Sequence, residues 1–410
     1  MRLSKWLVMG GLSITAACNN PVMNEEKEAG AAKETAGSYG EDLKFIMQHA
    51  PGAIELKSAD GASKVLLSAA YQGRVMTSTA TGDSGTSFGW LNYKLLEETE
   101  KKKQFNPIGG EERFWLGPEG GQYSIYFKGK DSFSMGNWQV PPVIDTESFI
   151  LEKSSETAAT FSKQAKLTNY SGTEFNIDIR RTIQLLDKED IAKKLQTVIP
   201  EAINLVGYET INSIRNIGQE DWSSDKGLLS IWLLGMFTPS PKTVVIIPFK
   251  AIDNARSFIT DNYFGTMPPD RLQVKDSVMF FTCDGKHRSK IGLAPSIAKP
   301  LAAGFDFENN VLTLVIPTVN ATAPYVNSKW ELQKEPYKGD VINSYNDGPL
   351  ADGTQMGPFF EIESSSPALS LKKGETGEYR QSTFHLTGNY DDLKVIVKQL
   401  LGVNLDDLKK

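Results

Sequence analysis

The chain has 410 residues, room for one large domain or two ordinary ones, and a 40% share of hydrophobic residues supplies a full core. Its formal charge of -6, with no long basic run, argues against the positive face that nucleic acid binding requires. What remains is a globular protein whose partners are not polyanions.

At the start of the chain Arg2 and Lys5 precede an apolar run over 6–17 that is too short to span a bilayer. Thr15, Ala16 and Ala17 then stand directly before Cys18, the pattern of a secretion signal over 1–17. A cysteine at that place resembles the lipobox of bacterial lipoproteins, which implies lipidation of Cys18, a membrane anchor, and a periplasmic or cell-surface location. Residues 18–39 are rich in Asn, Glu, Ala, Gly and Lys and read as a flexible tether. A single domain over 40–410 follows. If Cys18 carries lipid, Cys283 has no partner for a disulfide within the chain.

Residues 41–49 read as a short helix ended by Pro51 and Gly52. Short runs over 53–56, 65–67 and 74–76, separated by Asp60-Gly61 and Gln72-Gly73, form a strand meander. Residues 88–93 read as a further strand carrying Trp90, and 97–103 as a solvated turn. The stretch 109–122 then places three acids, Arg113 and Trp115 between paired glycines, so a short strand carries these side chains from one loop into another. Trp115 offers a flat face, Arg113 a hydrogen-bonding fork, and Glu111, Glu112 and Glu119 acceptors for hydroxyl groups. The same residues also fit an ordinary strand with a half-buried tryptophan and a surface ion pair. Asn137-Trp138-Gln139, ended by Pro141-Pro142, closes the next segment.

Alternation is clearest over 173–186, where Phe175, Ile177, Ile179, Ile183 and Leu185 share one face. Arg181 interrupts that face, as a paired internal arginine, a site residue at a sheet mouth, or the mark of a bulge. Residues 188–198 read as a helix, 205–217 as another alternating strand, and the apolar runs 228–234 and 244–247 as strands covered on both faces. Strands are also expected at 280–281 and 311–316, with a late pair at 358–364 and 377–387 and a closing amphipathic helix at 390–401. Many strands without helix–strand alternation indicate a mainly β protein, a large antiparallel β-sandwich with a few short helices.

Glu361 and Glu363 lie two apart on a strand, so both point away from the core that Phe360 and Ile362 enter. Their backbones are roughly 7 Å apart, close enough to share a sugar or perturb each other's titration. Two glutamates on the wet face of a strand need no such role. Of the three histidines, His49 lies in the first helix and His287 in a charged turn, while His385 stands on the face opposite Phe384 and Leu386, where it could be a polar member of a cleft. Cys283 and His287 lack a second ligand pair, so no metal site is expected, and no nucleotide or other cofactor motif is present.

Several segments together resemble the galactose mutarotase-like superfamily, and more closely an uncharacterised family of Bacteroidota lipoproteins within it. They are Gly73-Arg74-Val75-Met76, residues 109–119, Leu167-Thr168-Asn169, residues 227–237, residues 360–367 and Lys373-Gly374-Glu375. The resemblance implies a sandwich with a concave sugar-binding face, a glutamate base near Glu361 or Glu363, and histidines on earlier strands as acid and ligand. Where the first histidine would stand the chain reads Gly110-Glu111-Glu112-Arg113, and near the second it has Tyr170 or Arg180-Arg181. Arginine does not donate a proton at neutral pH, so ordinary mutarotation lacks its acid. The expectation is therefore carbohydrate recognition through Arg113, Trp115, Glu361 and Glu363, with Glu112, Arg74, Trp90, Trp138 and Arg181 as further ligand-binding candidates. An epimerase or carbohydrate-cleaving enzyme with Glu361 or Glu363 as its catalytic carboxylate is the alternative, and a non-catalytic structural lipoprotein is the third.

Overall fold

The computed structural model describes residues 37–409. The leader, Cys18 and the tether up to residue 36 lie outside the described residues. Among the described residues no helix is long and apolar enough to cross a membrane.

Two antiparallel sheets make the body. The larger has ten strands, running in spatial order Leu272–Lys275, Val278–Thr282, Thr243–Pro248, Ala302–Asp306, Val311–Pro317, Thr376–Thr387, Asn204–Asn216, Glu174–Leu185, Ala158–Thr168 and Ile150–Ser154. The smaller has six, in the order Ile259–Thr260, Ser289–Leu293, Ile342–Asn346, Phe360–Ser365, Ser230–Phe237 and Arg113–Gly117. A three-stranded sheet, Ala53–Lys57, Lys64–Ser68 and Arg74–Thr79, joins the small sheet's edge through a bridge between Val75 and Glu112.

Period-two patterning sets which residues enter the space between the large sheets. Phe175, Ile177, Ile179 and Ile183 come from one side and Phe114, Ile231 and Leu233 from the other, forming one buried cluster. The expected strand over 173–186 is present as Glu174–Leu185, and its pairing to both neighbours is continuous, so Arg181 marks no bulge. It is the paired internal arginine.

On the large sheet's other face, Phe384 and Leu386 meet Leu393, Ile396 and Val397 of the closing helix Tyr390–Leu401. Asn389 caps that helix by accepting the Asp392 amide, and Gly402 ends it at φ +73°.

Two sequence expectations change, and some strands went unread. Residues 88–93 form only isolated bridges at Gly89 and Leu91 before a helical turn, and Gly89 lies so close to the Met76 carbonyl that a Cβ there would meet it at 2.3 Å. The late strands Phe360–Ser365 and Thr376–Thr387 belong to different sheets, facing each other across the core. Short strands such as Ser289–Leu293 and Ile342–Asn346 carry too little alternation to be read beforehand.

Candidate functional site

The site begins where Gly109 and Gly110 turn the chain at φ +95° and +111°, a conformation open to glycine. A Cβ on Gly110 would meet the Arg74 Cδ at 2.6 Å and the Val75 carbonyl at 2.9 Å, so the close approach of these segments depends on it. Past this turn consecutive side chains part company. Glu112 points between the sheets, and Arg113 points to the outer face of the small sheet.

Cross-strand register assembles the outer face. Arg113 stands opposite Leu234, Leu234 opposite Glu363, and Glu363 opposite Asn343. The neighbouring row holds Met236, Glu361, Tyr345 and Lys290. Strands distant in sequence thereby form one polar floor. Arg113 donates to Glu361 in an ion pair, and the guanidinium lies 4.7 Å from the Trp115 ring. Glu363 Oε2 accepts from the Trp232 indole at 3.0 Å and from Lys290 Nζ at 2.9 Å. Trp138 continues the aromatic wall, 6.5 Å from Trp115 and stacked on Trp330 at 6.0 Å.

The floor is closed and the rim is not. Arg113 is 3% exposed and Glu361 6%, whereas Glu119, Tyr263, Lys290, Trp330 and Asp340 above them are half-buried. Within the floor, Arg113 Nε and Nη1, Trp115 Nε1 and Glu363 Oε1 have no hydrogen-bond partner among the described residues. Buried polar atoms cost free energy unless matched, so the floor holds three donors and an acceptor whose bonding is unfilled within the protein.

Burial pushes the Glu361 carboxyl up to about 7 against the opposing pull of Arg113, and the Glu363 charge adds to the rise. Glu119 is pushed up to about 6 by burial, with Lys290 offsetting part of it and Glu363 working the other way. Burial works against the Lys290 charge, yet Glu363, Glu119 and Glu361 together hold its pKa above the ordinary lysine value. The site thus holds a carboxyl that exchanges a proton near neutrality beside fixed cations.

Of the residues expected from sequence, Arg113, Trp115, Trp138, Glu361 and Glu363 come together here. Arg74 lies at the edge of the same face, donating to the Gly109 carbonyl at 2.8 Å and to Gln72 at 3.0 Å, which leaves only its buried Nε without a partner among the described residues. Trp90 is displaced into an apolar cluster with Met236, Tyr345 and Phe359. Expectations for three residues are corrected. Arg181 and Glu112 are both 0% exposed and pair with each other at 2.7 Å between the sheets, where Gln381 occupies the second Glu112 oxygen, so neither faces a ligand. His385 likewise lies between the sheets, bonded to Glu111 at 3.0 Å and Thr313 at 2.9 Å and stacked on Phe88. It is an interior histidine, because both faces of its strand are covered: Phe384 and Leu386 lie under the closing helix and His385 between the sheets.

Sequence reasoning missed Lys290, Trp232, Trp330 and Tyr263. The one available signal was Lys290 in an otherwise apolar, glycine-containing run, Lys290-Ile291-Gly292-Leu293, where a lysine needs a carboxylate. Among the described residues no group of His, Cys, Asp and Glu side chains is disposed to hold a metal ion.

A model of a family of unknown function, DUF6786, matches residues 37–410. No curated protein matches. Among solved structures, a candidate aldose 1-epimerase from Escherichia coli K12 aligns at 11% identity, covering 82% of this chain and 99% of its own, with a TM-score of 0.50. A galactose mutarotase-like protein from Lactobacillus casei aligns at 9% identity over 82% of this chain and 100% of its own, with a TM-score of 0.48. At such identities the likeness is one of fold, the galactose mutarotase-like β-sandwich.

Proposed function

The chain belongs to the DUF6786 family, and from the outer-face site we propose that it recognises carbohydrate outside the cytoplasm, held to a membrane by lipid on Cys18. The observation that carries the recognition is the joining of a buried ion pair, Arg113–Glu361, and a part-buried one, Lys290–Glu363, to an indole wall beside half-buried polar residues. Mixed donors and acceptors read hydroxyl groups, and indole faces pack the apolar faces of a sugar ring. The mutarotase-like fold and the names of its structural neighbours, an aldose 1-epimerase among them, agree with a sugar ligand. The signal-like residues 1–17 ahead of Cys18 support export and anchoring, as does the resemblance to Bacteroidota lipoproteins.

A glycan array with the native domain and Arg113→Ala, Glu361→Gln and Glu363→Gln variants tests the proposal. Binding by the native domain, weakened about tenfold or more in each variant, is expected, since each loses a charge-assisted hydrogen bond. A native domain that binds no glycan overturns it.

One observation favours an enzyme as a second reading. Glu361 near 7 and Glu119 near 6 are placed to take and give protons at neutral pH. None of the three histidines joins this face: His49 sits in the first helix, His287 in an exposed turn and His385 between the sheets. An epimerase here would use carboxyl groups in place of imidazole. An anomer-exchange assay that shows no acceleration over buffer removes this reading and leaves recognition standing.

A further inference from the structure

The outer face does not end at Lys290. Beyond it Tyr263 donates to Asp340 at 2.6 Å and accepts from Asn343 at 3.2 Å, and the Lys290 ammonium lies 5.6 Å from the Tyr263 ring. Gly292 makes this possible, because a Cβ there would strike the Asp340 carboxylate at 2.1 Å. The next residue, Phe264, is 47% exposed. Arg288 covers one of its faces at 3.9 Å and in turn donates to the Tyr345 hydroxyl at 3.2 Å, which donates to Asp347 at 2.6 Å. An exposed phenyl ring backed by an anchored guanidinium is a fixed flat surface, not a loose loop side chain.

Trp330 supplies a comparable half-open ring at the other end, stacked above Trp138 and the Arg113–Gly117 edge. Four strand spacings separate the strand of Arg113 from the strand of Lys290, a distance of roughly 19 Å. That exceeds any single sugar ring. Across those strands the outer face carries Arg113, Glu361, Glu363 and Asn343, all buried, and the half-buried Lys290.

The geometry points to a second sugar-stacking subsite at Phe264 and Arg288, so that the site takes an oligosaccharide laid across the strands. This rests on the carbohydrate reading above and specifies its ligand class. Hydroxyl groups of the central units meet the half-buried rim groups Glu119, Lys290, Tyr263 and Asp340, and the terminal units stack on Trp330 and Phe264.

Titration calorimetry with cello-, malto-, xylo- and galacturonan oligosaccharides, each from monosaccharide to hexasaccharide, tests it. Affinity in at least one series is expected to climb with chain length until both rings are engaged. Phe264→Ala, a change at an exposed position that leaves the core intact, lowers hexasaccharide affinity about fivefold to tenfold and leaves monosaccharide affinity unchanged. Trp330→Phe, which keeps a ring, retains most of the length dependence. Binding that does not vary with length, or an equal Phe264→Ala effect on mono- and hexasaccharide, overturns the oligosaccharide inference alone. No binding in any series, together with a blank array, overturns the carbohydrate reading itself.

Discussion

Glu112 and Arg113 are adjacent in the chain, and each forms a buried ion pair, but on opposite sides of one sheet. Between the sheets Glu112 spends both oxygens, on Arg181 and Gln381, and all three side chains are sealed in. On the outer face Arg113 spends one nitrogen on Glu361 and leaves two without partners, beneath residues that are half in solvent. Orphaned atoms alone do not separate the regions, since Arg181 also leaves Nε and Nη1 unmatched. Position does. The inner pair lies between the sheets and fixes how they mate; the outer pair lies on the small sheet's outer face beside the half-buried Glu119 and Lys290, where the proposed ligand role places it.

The sharpest way to break this contrast is to truncate each arginine. Arg181→Met strands the Glu112 carboxylate in the sealed interior and is expected to cost about 3–5 kcal/mol of stability. Arg113→Met also strands a carboxylate, but Glu361 already titrates near 7 and relieves itself by binding a proton, so a cost of about 1–2 kcal/mol is expected. Denaturant unfolding of the two variants at pH 7 measures both. Equal losses would mean that the outer pair is as structural as the inner one.

Proton uptake sharpens the comparison further. Glu361 moves from an ordinary 4.5 to about 7 in the folded chain, so between those values the folded state holds a proton that the unfolded state has released. Its contribution to stability is therefore complete below the lower value and lost as pH rises through the upper one. Glu361→Gln mimics the protonated form, and its stability relative to the native chain should grow from pH 4.5 to 7 and then level off. Urea midpoints across that range check this; a constant difference would show that Glu361 ionises as an ordinary glutamate.

How much of this was legible beforehand depends on what each residue is embedded in. The sandwich was legible because strands such as Glu174–Leu185 alternate cleanly, and the closing helix Tyr390–Leu401 because its apolar stripe, Asn389 cap and terminal Gly402 agree. The meeting of Arg113 and Trp115 with Glu361 and Glu363 was legible from strand parity joined to the family resemblance. Which of Glu112 and Arg113 faces outward was not, because residues 109–112 precede the regular strand and paired glycines erase the parity. Lys290 stands on a five-residue strand and Phe264 and Trp330 in loops, where no period marks a face. Their places are set by tertiary packing.

The smallest effect tests where the outer-face site stops. Trp90 shares the small sheet's outer side with Glu361, but its ring lies 4.7 Å from Phe359 in an apolar cluster with Met236 and Tyr345. Trp90→Phe keeps an aromatic ring in that cluster and gives up part of its contact, a loss of about 1 kcal/mol. Oligosaccharide affinity measured by calorimetry should not move. A drop of tenfold or more would extend the binding surface past the Glu361 row into the cluster around Phe359, and the line drawn between a polar floor that meets ligand and an apolar margin that supports it would have to shift by one strand row.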